Sequence, residues 1–363
     1  GAETIKVEEP RGGDPARYNA PLVGDIGGYF PSLNRNKKGV TLDLRKEKGK
    51  DIFRRLIKLA DVVVENFRPG TMDRLGFPYS VVQQLNPRTI MVSISGFGQT
   101  GPYAHRPAFD TVGQALSGIM SITGFSDGPP VFAGAAIADL IAGYFGTIGS
   151  LLALRQQDRT GKGQYVESTL VEGLLVTMGP QLMLEARGRT RERGVLPVPP
   201  GGTFRCADGS YFIILAHDDN HWPRMARVMG KAELAADPQY STRAARVPHT
   251  VELNQMVADW VGTKSADEVE RIMDEEGIPF SKVQSVREVL VDRHYRAREM
   301  IVDVDHDGKE SLPLVSPYPK LSDSPGSIRS ICPHLGQHNE EVYCGILGIS
   351  REELRSLKEE GVI

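Results

Sequence analysis

The sequence predicts an α/β protein in two parts, a large domain built on a mostly parallel sheet with helices packed on it and a smaller α+β domain. Three observations predict this. Strand and helix signals alternate through the first half of the chain. The run ARGRTRERGVLPVPPGG is charged and then Pro/Gly-rich, which is linker composition. A hairpin pattern and three helical patterns follow it, before strand and helix signals return. The expected boundaries are 1–187 for the large domain, 188–300 for the small one and 301–363 for a segment returning to the large domain.

The elements follow in order. TIKVEE reads as a strand, so the chain opens inside a domain, without an initiator Met or a signal-peptide pattern. GVTLDL (39–44), DVVVEN (61–66) and RTIMVSIS (88–95) are β-branched or apolar runs of strand length. Between them, 48–60 carries helical spacing, and YSVVQQL is a short helix stopped by Pro87. Helices are expected near 110–122, 138–156 and 168–187, with RTGKGQY (159–165) as a tight turn, since it lacks the spacing of a phosphate-binding P-loop. GGTFRCADGSYFIIL is a hairpin turning at ADG. Helical patterns then cover 219–229, 249–262 and 265–276, and Ser350 caps a solvated C-terminal helix.

Composition narrows the function. Of 363 residues 40% are hydrophobic and 25% charged, the profile of a globular protein, and the net charge of −3 comes without a like-charged tail. That gives no support to nucleic-acid or anionic-membrane binding. Three cysteines without CxxC spacing fit a reducing, cytoplasmic or organellar-matrix compartment and no structural zinc. Val131 to Leu154 is long enough to span a bilayer with one charge, but Asp139 in mid-span would cost roughly 2.5–3.5 kcal/mol. A helix buried in protein is the expectation.

Two motifs suggest ligand contact. GFGQTG (96–101) matches the dinucleotide fingerprint and follows a strand, but Pro102 and Pro107 take the chain away as a loop where the fingerprint needs a helix. NAD binding is not expected, whereas a glycine loop at a strand's carboxyl end suits another ligand. ENFRPG (65–70) lies just past a second strand. The basic stretch NRNKKG (34–39) and Arg45, Arg68 and Arg74 are each surface charges or contacts to a phosphorylated ligand.

GAAIADLIAGYFG (134–146) holds one acid, Asp139, among small and apolar residues. A carboxylate in a helix's first turn gains about 0.3–1 kcal/mol from the helix dipole. The alternative is functional: small neighbours leave room for a ligand, and a carboxylate of ordinary pKa is already a nucleophile at pH 7 without a base.

Taken together, GAETIKVEEPRGGD, NRNKKGVTLDL, ADVVVENFRPG, SISGFGQTGPY, FDTVGQALSG, ITGFSDGPPV, GAAIADLIAG, RTGKGQYVE, DPQYSTRAAR and LGQHNEEV resemble the family III CoA-transferases (CaiB/BaiF type), the group containing formyl-CoA and carnitine CoA-transferases. The resemblance runs over nearly the whole chain. It implies a Rossmann-like large domain, an interlocked ring-like homodimer, and a preceding βα unit on the order of 30 residues ahead of Gly1. It implies an acyl-CoA donor and a carboxylic acid acceptor as substrates, coenzyme A as a substrate rather than a resident cofactor, and no metal. Asp139 stands at the position of the family's nucleophile. Gly201 and Gly202 are the candidates for backbone amides stabilising an oxyanion, although they do not reproduce the longer glycine run of formyl-CoA transferases.

For CoA, the resemblance places Leu42 and Arg45 near the adenine. Asn66, Phe67 and Arg74 lie along the pantetheine and phosphate path, Gly96, Phe97 and Gly98 edge the cleft, and Arg11 is a further phosphate candidate. Related racemases pair the aspartate with a histidine just before the Asp of FDTVGQALSG. Phe109 stands there and cannot move a proton. A racemase-like enzyme and a nonenzymatic CoA-binding protein are the alternatives to a transferase. Arg106 is either a surface charge or a reader of the acceptor's carboxylate.

Overall fold

The computed structural model describes residues 1–24, 26–189, 191–196, 198–306 and 310–363. Its strands are β1 (Ile5–Glu8), β2 (Leu22–Val23), β3 (Ile26–Gly27), β4 (Lys38–Thr41), β5 (Val62–Glu65), β6 (Ile90–Ser95), β7 (Tyr165–Thr169), β8 (Gly201–Arg205), β9 (Tyr211–Leu215), β10 (Phe280–Lys282), β11 (Ile301–His306) and β12 (Glu310–Val315). The chain divides into two compact units. One comprises 1–113, 136–174 and 289–363; the other comprises 114–135 and 175–288. The sequence had kept 114–135 with the large domain and put the boundary at 187. Nothing local marks 114–135 as belonging to the second unit, because the assignment rests on non-local contacts.

The first unit carries the parallel strands. β1 pairs with β4 from Ile5↔Lys38 to Glu8↔Thr41, and β6 lies between β5 and β7, all three parallel. Ile90, Met91 and Val92 are buried, as expected of a central strand covered on both faces. Helix Glu47–Leu59 turns Ile52 and Ile57 inward. Ile52 meets Val40 and Leu42 from β4 and its continuation, together with Val342, Tyr343, Ile349, Leu357 and Val362 from the C-terminal segment. Polar bonds fix that return: Tyr343 Oη donates to the Thr41 carbonyl at 2.8 Å, and Asn339 Oδ1 accepts from the Thr41 N–H at 2.9 Å. Ser350 caps the final helix, Arg351–Glu359, by accepting from the Glu353 N–H, as its sequence suggests. β11 and β12 form an antiparallel pair in the same unit.

The long helix Ile137–Thr160 explains its own composition. The buried stripe is small: Ala138, Ala142, Gly146 and Ala153, followed by Gln157. A Cβ on Gly146 would lie 3.2 Å from Ile94, and one on Gly149 would lie 2.6 Å from Val166, so small residues let the helix sit close to β6 and β7. The large apolar residues lie on the other side, with Tyr144, Leu151 and Leu152 more than 60% exposed. The helix is long and apolar enough to cross a membrane by length and composition. Of this helix, expected to be buried in protein, the small-residue face is buried within this chain. Hydropathy reports that a face is apolar and not what covers it.

The second unit has its own core. β9 pairs antiparallel with β8 and β10. Phe204, Phe212 and Ile214 of the sheet pack with Trp222 and Met225, with Leu253, Val257 and Val261 of helix Thr250–Val261, and with Val269 and Met273 of helix Ala266–Glu276. The hairpin turn carries Gly209 at φ +88°, a conformation that favours glycine. Arg246 is fully buried and donates to the carbonyls of Pro199, Tyr240 and His217 and to the Asp219 carboxylate. A buried guanidinium requires such a full set of acceptors.

Candidate active site

The parallel strands end at one edge of the sheet in the first unit, and the loops there supply the site. After β6 the chain makes a tight glycine loop. Ser95 Oγ accepts from the Gly98 N–H at 3.1 Å, and Glu167 Oε1, from the adjacent β7, accepts from the Gln99 N–H at 2.5 Å. Gly98 has φ +93°, and a Cβ there would lie 2.9 Å from Glu167 Oε1, so both conformation and space demand glycine. A Cβ on Gly96 would lie 2.3 Å from the Ala108 Cβ, so the segment before Asp110 rests directly on this loop. No helix begins until Asp110, which removes the structural context of a dinucleotide fingerprint.

Asp139 lies at the same edge. Gly149 packs on Val166 and Ser168 Oγ donates to the Ala142 carbonyl at 2.8 Å, so the long helix runs antiparallel to β7. Its N-terminus therefore stands over the carboxyl ends of the strands, where open α/β sheets bind ligands. Asp110, first residue of helix Asp110–Leu116, accepts with Oδ1 from the Ala138 N–H at 2.7 Å and from the Asp139 N–H at 3.4 Å. Two amides that begin the long helix are thereby engaged by a side chain 28 and 29 residues away in sequence.

The Asp139 carboxylate has no hydrogen-bond or ion-pair partner among the described residues. Desolvation by the surrounding protein raises its pKa above the ordinary carboxylate value, and the nearby Asp110 charge raises it further. Both effects oppose the helix dipole, which favours an ionised acid at this position.

The CoA candidates fall into two groups. Asn66 and Phe67 follow β5 and are exposed, with the Phe67 N–H held by the buried Glu65 carboxylate at 2.8 Å. β5 and β6 are parallel neighbours, so this loop and Gly96, Phe97 and Gly98 share one edge. Arg74 sits a turn further on, bonded to Thr71 Oγ1. The other group gathers around Glu9. Arg45 donates to Asp43 Oδ1 at 2.8 Å and to Glu9 Oε1 at 3.0 Å, and Arg11 donates to the same Glu9 oxygen at 2.9 Å. Leu42 needs a correction. The residue is 3% exposed inside the core and its N–H is donated to the Glu8 carbonyl, so its side chain does not face a ligand.

Gly201 and Gly202 also need correction. They lie in β8, paired with Leu215 and Ile214 rather than in a free glycine loop. Asn254 clamps Gly201, accepting from its N–H at 3.0 Å and donating to its carbonyl at 3.3 Å. An amide donated to a side chain is not available to an oxyanion. Phe109, at the position where a racemase would carry histidine, is exposed beside Asp110.

Sequence reasoning missed Asp110, Ser95 and Glu167. The one local signal for Ser95 is its place just before a glycine loop. Asp110 and Glu167 act through non-local contacts that no local pattern encodes.

A carboxylate over the carboxyl edge of a parallel sheet stands where open α/β proteins bind their ligands. Residues 1–339 match the family described as CoA-transferase family III, and the chain belongs to that family. Its relatives bear this out. The succinyl-CoA–D-citramalate CoA-transferase of Chloroflexus aurantiacus is 39% identical over all of this chain and 92% of its own length. The formyl-CoA:oxalate CoA-transferase of Streptomyces coelicolor is 37% identical over all of this chain and 93% of its own. Among solved structures, a CaiB/BaiF family protein from Brucella suis is 32% identical with a TM-score of 0.82, covering 95% of this chain and 92% of that one. Rv3272 from Mycobacterium tuberculosis is 27% identical with a TM-score of 0.83, over 93% of this chain and 90% of that one. The protein is therefore a CoA-transferase enzyme, of a family in which CoA thioesters and carboxylates are the substrates.

Proposed function

We propose that the enzyme moves CoA between two carboxylic acids with Asp139 as the nucleophile. One observation carries this: the Asp139 carboxylate, without a partner among the described residues, stands over the carboxyl edge of the sheet, its backbone fixed by Asp110. An Asp139 oxygen attacks the donor's thioester carbon and the C–S bond breaks, giving a mixed anhydride and CoA thiolate. The thiolate attacks the aspartyl carbon, releasing the donor acid and leaving an aspartyl-CoA thioester. The acceptor carboxylate then attacks that carbon and expels the thiolate, which finally attacks the acceptor's acyl carbon. The products are the new thioester and free Asp139, with no net proton consumed. Covalent exchange of this kind keeps the energy of the thioester from being lost to water.

The loops at Asn66–Phe67 and Gly96–Gly98 suit the pantetheine arm, since both lie on the edge that Asp139 overlooks. Arg11 and Arg45 suit the nucleotide phosphates if a phosphate displaces Glu9. The reading is tested by incubating the protein with a panel of acyl-CoAs and recording intact mass. An acyl or CoA adduct in the wild type and none in Asp139→Ala is the expected result. Absence of any adduct alongside measurable CoA binding would refute a covalent aspartyl route.

The enzyme is a homodimer in this proposal. A soluble protein rarely leaves so large an apolar helical face in water, and Tyr144, Ile148, Leu151 and Leu152 form one on the long helix. A second copy, interlocked as the family resemblance implies, would cover it. Light scattering should give twice the chain mass at low micromolar concentration; a monomer mass there would sink the idea.

A further inference from the structure

Arg68 and Arg106 are the edge arginines whose guanidinium groups have no partner among the described residues, and of the two only Arg106 is stacked on a ring. It lies in the segment that leaves the glycine loop and reaches Asp110, four residues further on. Its guanidinium carbon sits 3.8 Å from the centre of the Tyr103 ring, and Tyr103 meets Phe97 of the glycine loop edge-on, with ring centres 6.1 Å apart. Stacking restricts the side chain's rotamers while leaving the N–H fork in its own plane free to bond. Among the described residues the guanidinium has no ion-pair or hydrogen-bond partner. Arg45, Arg11 and Arg74, by contrast, are all engaged by side-chain oxygens. The chain geometry limits the Arg106–Asp110 Cα separation to at most about 14 Å. Asp110 in turn holds the Asp139 amide. A planar, pre-oriented and unpaired fork near an exchanging carboxylate matches a second carboxylate on the substrate.

We propose that Arg106 is a specificity-determining residue that binds the remote carboxylate of short dicarboxylates, selecting dicarboxylyl-CoA donors and dicarboxylate acceptors. This rests on the transferase reading given above. During exchange one carboxyl of such a substrate is carried as thioester or anhydride and loses its charge. The other stays ionised throughout, so a fixed cation can hold the acyl group through every intermediate. The ring stack keeps the fork oriented when no substrate is present, which lowers the ordering cost of binding.

The test compares wild type, Arg106→Ala and Arg106→Lys in two assays. One transfers CoA from succinyl-CoA to a four- or five-carbon dicarboxylate; the other transfers it from butyryl-CoA to a monocarboxylate of equal chain length. The ratio of kcat/KM between the two assays should fall about 10- to 100-fold in Arg106→Ala, the range of a charge-assisted hydrogen bond. Arg106→Lys should recover part of the ratio, because it keeps the charge and loses the fork. An equal loss in both assays would assign Arg106 to a CoA phosphate or to loop structure and overturn the inference. An unchanged ratio would overturn it too. Wild-type protein that transfers CoA in neither assay would exclude short dicarboxylates as substrates and overturn the inference, while the absence of any Asp139-dependent adduct with the acyl-CoA panel is the separate failure of the covalent reading.

Discussion

Two charged corners of the first unit differ in one respect. Around Glu9, every nearby cation and anion has a partner: Arg11 and Arg45 share one Glu9 oxygen, Arg45 also holds Asp43, and Lys6 pairs with Asp14 at 2.6 Å. Arg45, helped by Lys46, holds Asp43 below the usual carboxylate range, and Arg11 does the same for Glu9. Above the carboxyl edge of the sheet, Asp139 and Arg106 have no side-chain partner among the described residues, and the Asp139 pKa moves the opposite way. Pairing satisfies a charge and blunts its reactivity, whereas a raised and unpaired carboxylate is kept available for chemistry at a cost in stability. The contrast separates a corner that organises the fold from one that meets substrate.

The most severe way to test the contrast is to remove the Asp139 charge while keeping its shape. Asp139→Asn should lower CoA transfer by at least about 10³-fold, since an amide is a poor nucleophile. The same change should leave folding intact and raise Tm slightly at neutral pH. The sign follows from linkage. A carboxyl whose folded pKa is raised destabilises the folded state once ionised, so the penalty is present at neutral pH and vanishes as pH falls through the folded pKa. The Tm advantage of Asp139→Asn should therefore shrink towards pH 4. A variant less stable than wild type at pH 7 would show that the helix dipole or a partner outweighs the desolvation and the Asp110 charge.

Much of this architecture is legible in the sequence because it is local. The 48–60 spacing, the DVVVEN run, the hairpin at ADG and the Ser350 cap each specify their element within a few residues, and each is found. Asp139 is legible as an anomaly, one acid in a small, apolar setting. Its support is not: Asp110 reaches it only when two segments fold together, and Glu167 locks the glycine loop from another strand. Gly201 shows the reverse failure. The resemblance suggests free amides at Gly201 and Gly202, yet pairing with β9, which the hairpin pattern itself predicts, and the Asn254 clamp make them strand. The fate of the Glu47–Leu59 face, covered by a C-terminal segment some 290 residues later, is likewise set by tertiary contact.

An intermediate effect is expected at Asp110. Asp110→Asn keeps an oxygen acceptor for the Ala138 and Asp139 amides but removes the charge that raises the Asp139 pKa. The acid limb of the kcat/KM profile, where protonation of Asp139 ends nucleophilic attack, should move to lower pH. Activity on the plateau should change less than about tenfold, because the helix start stays capped. Asp110→Ala loses both functions and should reduce the plateau further. An acid limb that stays in place in Asp110→Asn would remove Asp110 as a source of the Asp139 shift.

The smallest effect belongs to the paired corner. If Arg11 and Arg45 receive phosphate oxygens of CoA, each binding event must first displace Glu9, an anion already occupying the same donors. Glu9→Gln weakens that competitor and leaves Asp43 to hold Arg45 in place. Surface ion pairs of this kind contribute about 0–1 kcal/mol, so Tm should barely move. The dissociation constant for CoA should fall about two- to fivefold at low ionic strength, and the gain should fade at high salt as screening weakens every phosphate contact. A weaker CoA affinity in Glu9→Gln would mean that Glu9 orients the two arginines for the ligand rather than competing with it, and the corner would then count as part of the binding site in its paired form.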